Sequence, residues 1–150
     1  MNNTIQIKAL ATHDYDQWLA LWQQYQVFYQ ANIALEVSQQ TWRKLTDDRC
    51  KHIYGFAAMQ GNQIVGIVHV IEHDSCWTLQ PYAYLQDLFV LPNCRGQGIA
   101  RQLIEQVYAH AMHRQCDRVY WLTHETNQVA QQLYDKVAKK TGFIQYRMLS

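Results

Sequence analysis

The chain is poor in charge: 17% of its 150 residues are Asp, Glu, Lys or Arg, against about 25% in an average domain. Neither sign dominates. Lys and Arg number 13 and Asp and Glu 12, which argues against a dedicated nucleic-acid binder, whose mark is a basic excess. Glycine and proline are scarce, at 6 and 2, and fall mostly at turns rather than in a linker. No apolar run approaches the ~18 residues of a membrane span. Met1 to Leu10 alternates polar with apolar residues and lacks the apolar stretch of a signal peptide. The cysteines, Cys50, Cys76, Cys94 and Cys116, are scattered with no paired spacing, the pattern of reduced thiols in a cytoplasmic protein.

What is present is a large apolar share, 49%, enough for one proper core at this length. There is no internal repeat, and residues 1–150 are expected to form a single α/β domain. Thr4 to Leu10 alternates as a half-buried strand. Thr12 to Tyr29 follows as a helix with Trp18, Trp22, Tyr25 and Tyr29 at helical spacing. Ser38 to Asp48 is expected as a second helix, with Ser38 as N-cap and Val37 and Trp42 as a hydrophobic staple. Ile53 to Met59 and Ile64 to Ile71 are strands around a Gly61-Asn62 turn.

A third strand runs to Val90, with Pro81 near its start. Residues 91–98 form a loop. Ile99, Leu103, Ile104, Val107, Tyr108 and Ala111 then mark a helix. Arg118 to Thr123 is a strand, Asn127 caps a helix carrying Ala130, Leu133, Tyr134 and Val137, Gly142 stops it, and Phe143 to Leu149 is a last strand. The expected order is β-α-α-β-β-β-α-β-α-β, a mixed sheet with helices on both faces. The three central strands should be antiparallel, and the later β-α-β step parallel with a right-handed crossover.

The most informative text is Asp87-Leu88-Phe89-Val90-Leu91-Pro92-Asn93-Cys94-Arg95-Gly96-Gln97-Gly98-Ile99-Ala100. A strand, a glycine loop and a helix start follow one another. Such a start offers unpaired backbone N–H groups and the positive dipole end, which together bind phosphate. Gly96 and Gly98 let the backbone approach an anion without a Cβ between them. Arg95 and Arg101 can add charge. The text is neither a Walker loop, because the Lys-Ser/Thr ending is missing, nor G-x-G-x-x-G, because residue 101 is Arg.

The segment resembles the R/Q-x-x-G-x-G/A motif of the GCN5-related N-acetyltransferase (GNAT) family, with Arg95, Gly98 and Ala100 at its three positions. Leu88-Phe89-Val90 corresponds to the family's upstream strand, and Asn127 with Tyr134 to its later Asn-x6-Tyr element. The element order is also the family's. Two stretches, Tyr84 to Val90 and Tyr120 to Asn127, are most similar to the spermidine/spermine and the histone-polyamine acetyltransferase-like branches. The resemblance implies acetyl-CoA as donor and direct attack of a primary amine on the thioester. It puts the pyrophosphate on the N–H groups of Gly96, Gln97, Gly98, Ile99, Ala100 and Arg101. The pantetheine arm would lie beside Leu88, Phe89 and Val90, in contact with Asn127. The Tyr134 hydroxyl would face the sulfur as general acid, although helical spacing alone makes Tyr134 a core aromatic.

The general base is where this chain departs from its relatives. Those branches carry a glutamate where it has Gln86, and an amide takes no proton at neutral pH. Asp87, Glu125 and His124 are the nearby alternatives. Their plainer roles are a strand-end hydrogen bond for Asp87, helix capping for Glu125 and an ordinary strand-end position for His124. By the same resemblance, Tyr25, Tyr29, Glu36 and Gln86 would line the acceptor amine, with core packing the plainer role of the aromatics. The expected acceptor is a small polycation of polyamine or aminoglycoside type. A protein lysine or an amino acid is the alternative, and a CoA-binding sensor that has lost turnover is another.

No nucleic acid or membrane partner is expected. A homodimer or higher homo-oligomer is, since C-terminal strands often pair between subunits in the resembling branches. His69 and His73 share a strand, and His110 and His113 a helical turn. Neither pair has a third ligand at diagnostic spacing, so no metal site is expected.

Overall fold

The computed structural model describes residues 4–149. Strand β1 (Ile5–Ala9) leads through a short 3-10 turn into helix α1 (Tyr15–Phe28), and helix α2 (Leu35–Thr46) follows. Strands β2 (Ile53–Gln60), β3 (Gln63–His73) and β4 (Tyr82–Val90) come next. Then follow helix α3 (Ile99–His113), strand β5 (Arg118–Tyr120) and helix α4 (Gln128–Val137). The described strands form one sheet in the order β1-β2-β3-β4-β5. Neighbours are antiparallel from β1 to β4, and β5 runs parallel to β4, as expected for hairpin links followed by a helical crossover.

β3 is the sheet's spine, and its alternation assigns a helix layer to each face. Gly66 faces α3: a Cβ there would lie 3.1 Å from Leu103 Cδ1 and 3.3 Å from Ile99 Cγ2. Glycine thus lets that helix lie close. His69, three residues on, faces α1, where Trp18 is fully buried. The core is continuous through the sheet. It runs from Trp18, Trp22 and Trp42 on one side, through Ile67, Val68 and Val70, to Leu103, Ile104 and Val107 on the other.

The β3–β4 pairing contains one irregularity. His69 pairs with Asp87 but Val70 pairs with Leu85, which leaves Gln86 as an extra residue on β4. This is a β-bulge, a device that re-aims side chains. Here it decides what faces the cleft.

Several local expectations need correcting. Ser38 is not an N-cap. Helix α2 starts earlier, with Ala34 as its cap residue, and buried Ser38 accepts a hydrogen bond from Trp22 Nε1 at 3.0 Å. Val37 is exposed, so it makes no staple with buried Trp42. Tyr108 lies on the outer face of α3, 58% exposed. Helix α4 ends at Val137, ahead of Gly142. The last strand, Phe143 to Leu149, is not formed: residues 138–149 carry neither helix nor strand. Its apolar residues lie open, with Phe143 at 89% and Met148 at 97% exposed. A strand exists only where a neighbour takes up its ladder of N–H and C=O groups, and among the described residues this segment pairs with no other.

Candidate active site

The loop after β4 has backbone geometry that suits an anion. Gly96 and Gly98 have φ of +78° and +79°, left-handed backbone that side chains with a Cβ resist. A Cβ at either position would meet nothing within 4 Å, so the space beside them is open. Gly98 is the cap residue of α3, with no side-chain cap and no acidic residue in the first turn. The N–H groups of Ile99, Ala100 and Arg101 therefore project from the positive end of a 15-residue helix. Gln97 is exposed and Ala100 half-buried beside them.

The two arginines are already engaged. Arg95 Nε donates to the Val90 carbonyl at 3.0 Å, and its guanidinium lies 5.8 Å from the Phe28 ring centre and 5.4 Å from that of Phe89. Arg101 Nε pairs with Glu105 Oε1 at 3.0 Å. Arg95 thus braces the loop against α1, and what the loop offers an anion is chiefly backbone. Cys94 is buried, with Sγ 3.6 Å from Asn93 Oδ1.

Beside this loop the sheet opens. β5 pairs with β4 only from Tyr82 to Tyr84. From Leu85 to Val90, including Leu88 and Phe89, the edge of β4 toward β5 has no strand partner among the described residues. Such an edge accepts an extended chain as an added strand.

Asp87 sits at the head of this opening. Tyr25 Oη donates to its Oδ1 at 2.7 Å, and His69 Nδ1 lies 2.9 Å from its Oδ2. The Asp87 side chain is 13% exposed. Tyrosines surround it. Tyr29 lies 4.8 Å from Tyr25, and Tyr84 stacks on Tyr120 at 5.0 Å between ring centres. Burial, reinforced by the Asp87 charge, pushes the hydroxyls of Tyr25, Tyr29 and Tyr84 above their ordinary pKa. The result is a carboxylate framed by aromatic faces, which suits a cation.

Tyr134 projects from α4 against Trp121, 5.4 Å between ring centres. Burial raises its hydroxyl above the ordinary range, and Tyr29 adds to the shift. Tyr29 therefore stands within electrostatic reach of both Asp87 and Tyr134. Asn127 caps α4, its Oδ1 accepting from the Ala130 N–H at 3.3 Å.

The other candidates are exposed or held by local partners. Glu125 is exposed, and its backbone carbonyl accepts from Gln131 Nε2 at 3.0 Å. His124 turns its ring to Thr126 Oγ1 at 2.7 Å. Gln86 is exposed on the bulge, and Glu36 is exposed in the first turn of α2. Among the described residues no three His, Cys, Asp or Glu side chains come together as metal ligands.

Sequence reasoning missed His69, Trp18, Tyr84 and Tyr120 as part of this site. The signal was faint: His69 meets Asp87 only because β3 and β4 pair in a bulged register, and the irregular connection of residues 74–81 hides that register.

Comparison with known proteins agrees with this geometry. Residues 7–138 match the Acetyltransferase (GNAT) family. The chain is 34% identical over 149 residues to a D-amino-acid N-acetyltransferase of Saccharomyces cerevisiae, covering 98% of this chain and 92% of that one. It is 31% identical over 96 residues to an aminoglycoside N(6')-acetyltransferase of Salmonella typhimurium, covering 61% of this chain and 63% of that one. Among solved structures, the aminoglycoside N-acetyltransferase AAC(6')-Iy in complex with a CoA-linked bisubstrate analogue superposes with a TM-score of 0.86 at 19% identity, covering 98% of this chain and 99% of that one. The chain belongs to the GNAT family, and it is an N-acetyltransferase that acts on amines.

Proposed function

We propose that the enzyme transfers acetyl from acetyl-CoA to the primary amine of a small molecule, with Asp87 and Tyr134 on opposite sides of the reacting centre. The observation that carries this reading is the bare β4 edge from Leu85 to Val90, which runs from the Asp87 carboxylate held by Tyr25 and His69 to the open glycine loop at Gly96 to Gly98. The open space at Gly98 fits a pyrophosphate, and the bare edge from Leu88 to Val90 fits an extended pantetheine arm. Bound there, acetyl-CoA supplies an activated acyl group.

The residues of the chain do the rest. Asp87 binds the incoming ammonium and accepts one of its protons at a carboxylate oxygen, leaving the nitrogen lone pair free to attack. Tyr134 keeps its proton at neutral pH and gives it to the departing sulfur. A backbone N–H near Val90 serves the oxyanion. Asn127 orients α4 and, through it, Tyr134. Asp87 is preferred to Glu125 because it is the carboxylate held inside the cleft by two donors.

For the acceptor we favour a small polycation of polyamine or aminoglycoside type, since a carboxylate framed by tyrosine faces binds ammonium groups. The 34% identity to a D-amino-acid N-acetyltransferase over nearly the whole chain favours a second reading, the α-amine of an amino acid. Thiol release from acetyl-CoA, measured with spermidine, kanamycin, D- and L-amino acids and a lysyl peptide, tests both. Turnover with an amine supports the proposal and its acceptor preference selects the reading. Tight CoA binding with no turnover on any acceptor would replace it with a sensor role.

We further propose a cytoplasmic homodimer in which residues 143–149 pair with the partner subunit. The open apolar side chains of that segment and the free cysteines support this. Light scattering of the full chain and of a chain ending at residue 142 checks the dimer.

A further inference from the structure

The Asp87 carboxylate is backed by a buried chain of side chains that the acetyl-transfer reaction does not itself require. Trp18, fully buried on α1, donates its Nε1–H to His69 Nε2 at 2.9 Å. An indole nitrogen is a donor only, so His69 Nε2 is an acceptor and carries no proton. The one ring proton is therefore on Nδ1, and Nδ1–H donates to Asp87 Oδ2 at 2.9 Å. His69 is 3% exposed, so water does not compete for either nitrogen.

We propose that His69 is a positioning residue whose Nδ1–H tautomer is locked by Trp18, so that it orients Asp87 without cancelling its charge. A charged imidazolium would form a closed ion pair with Asp87, and the pair would present no net charge to an ammonium. A neutral imidazole leaves the cluster of Trp18, His69, Asp87 and Tyr25 with one net negative charge, facing the cleft. The indole N–H enforces the neutral state, because a second proton on His69 would point at the N–H of Trp18. His69 also takes no proton from the reaction. When Asp87 accepts a proton from the acceptor ammonium, Nε2 remains bound to Trp18, so the proton returns to solvent through the cleft.

The other titratable groups around the pair do not blur this. Tyr25 on α1, Tyr29 at the cap that ends it and Tyr84 on β4 all hold their protons above the ordinary tyrosine range. β2 brings Gly55 against the imidazole, and α2 adds Trp42 against Trp18. The guanidinium of Arg147 lies within electrostatic reach of Tyr84 and acts against its upward shift. His73, further along the same strand face, bonds Tyr120 Oη at 2.7 Å instead.

This inference rests on the reading of Asp87 as the group that meets the ammonium, but its first test does not. Imidazole ¹⁵N NMR of the full-length protein should show His69 as the Nδ1–H tautomer. In Trp18→Phe, which removes the donor to Nε2, the Nε2–H tautomer should appear beside it. If Trp18→Phe fails to fold, His69 variants carry the second test. His69→Gln, which donates and accepts while staying neutral, should keep kcat/KM within about threefold. His69→Leu should lose about tenfold or more, as orienting partners do. An Nε2–H tautomer in the wild type would overturn the proposal, as would equal loss in the Gln and Leu variants. A correct tautomer with Asp87 dispensable for turnover would instead overturn the reading of Asp87.

Discussion

Tyr25 and Asp87, 62 residues apart in the chain, meet through a 2.7 Å hydrogen bond in which the phenol donates to Oδ1. The bond ties α1 to β4 one residue beyond the bulge at Gln86. Burial and the Asp87 charge hold the Tyr25 hydroxyl protonated far above neutral pH, so the donor is present wherever the enzyme works. Tyr25→Phe keeps the ring contacts with Trp22 and Tyr29 and removes that donor. Stability should fall by ~1–2 kcal/mol, the scale of a hydrogen bond to a charged group, and kcat/KM should fall several-fold. Urea unfolding and steady-state rates check the pair of effects; lost stability with full activity would make the bond purely structural.

Tyr134→Phe should lower kcat by ~10²-fold or more, the scale of a lost general acid, while the KM for acetyl-CoA moves little. Because burial, with Tyr29, raises the Tyr134 hydroxyl above its ordinary value, it loses its proton only at high pH. The wild-type pH–rate profile should therefore show no falling limb below about pH 10. A mutant with near-wild-type kcat would return Tyr134 to a packing role against Trp121.

Gly98→Val forces a branched side chain into backbone at φ +79° and into the open space beside the helix start. The strain should cost ~1–3 kcal/mol, and acetyl-CoA affinity should fall by at least about tenfold. Gly61→Val carries comparable strain at φ +60° on the β2–β3 turn and should leave affinity unchanged. Calorimetry on both folded variants separates strain from loss of the anion seat.

The acid limb of stability should follow Glu72, 6% exposed on β3. Burial alone would raise its pKa. Hydrogen bonds from Arg114 Nε and Tyr54 Oη, each at 2.7 Å, outweigh burial and hold it below the ordinary glutamate value. As pH falls, the unfolded chain therefore takes up the proton before the folded one does. The stability from Glu72 is complete at neutral pH and is lost as pH drops through and below the ordinary carboxylate range. Arg114→Met should cost about 2 kcal/mol at pH 7, less than a fully buried pair because Arg114 is partly exposed, and should flatten the acid limb. Thermal melts from pH 7 to 3 measure both.

Much of the fold is legible in residue patterns because those patterns are local. The Gly61-Asn62 turn, the buried stripe Ile99, Leu103, Ile104, Val107 and Ala111, and the Asn127 cap each depend on neighbours within one or two turns. The anion seat belongs to the same class, since Gly96, Gly98 and a helix start lie within a few residues. The ring around Asp87 does not. His69 reaches Asp87 through strand register, Tyr25 through helix packing, and Trp18 through His69. Ser38 misled for the same reason: its hydroxyl serves Trp22 on another helix rather than the start of its own. The last strand misled because Phe143 to Leu149 alternates well enough for a sheet, yet strand formation depends on a partner that no local pattern records.

The most direct test of Asp87 as the group that takes the ammonium proton is the pH dependence of kcat/KM for Asp87→Asn beside the wild type, read by thiol release from acetyl-CoA with the best acceptor amine. Asparagine keeps the size and cannot accept the proton. At pH 7 the variant should be ~10²-fold or more below wild type. The deficit should shrink as pH rises toward the ~10 of a free alkylamine, where solvent delivers the neutral amine unaided. A deficit that stays the same from pH 7 to 10, or no deficit at all, would contradict the assignment.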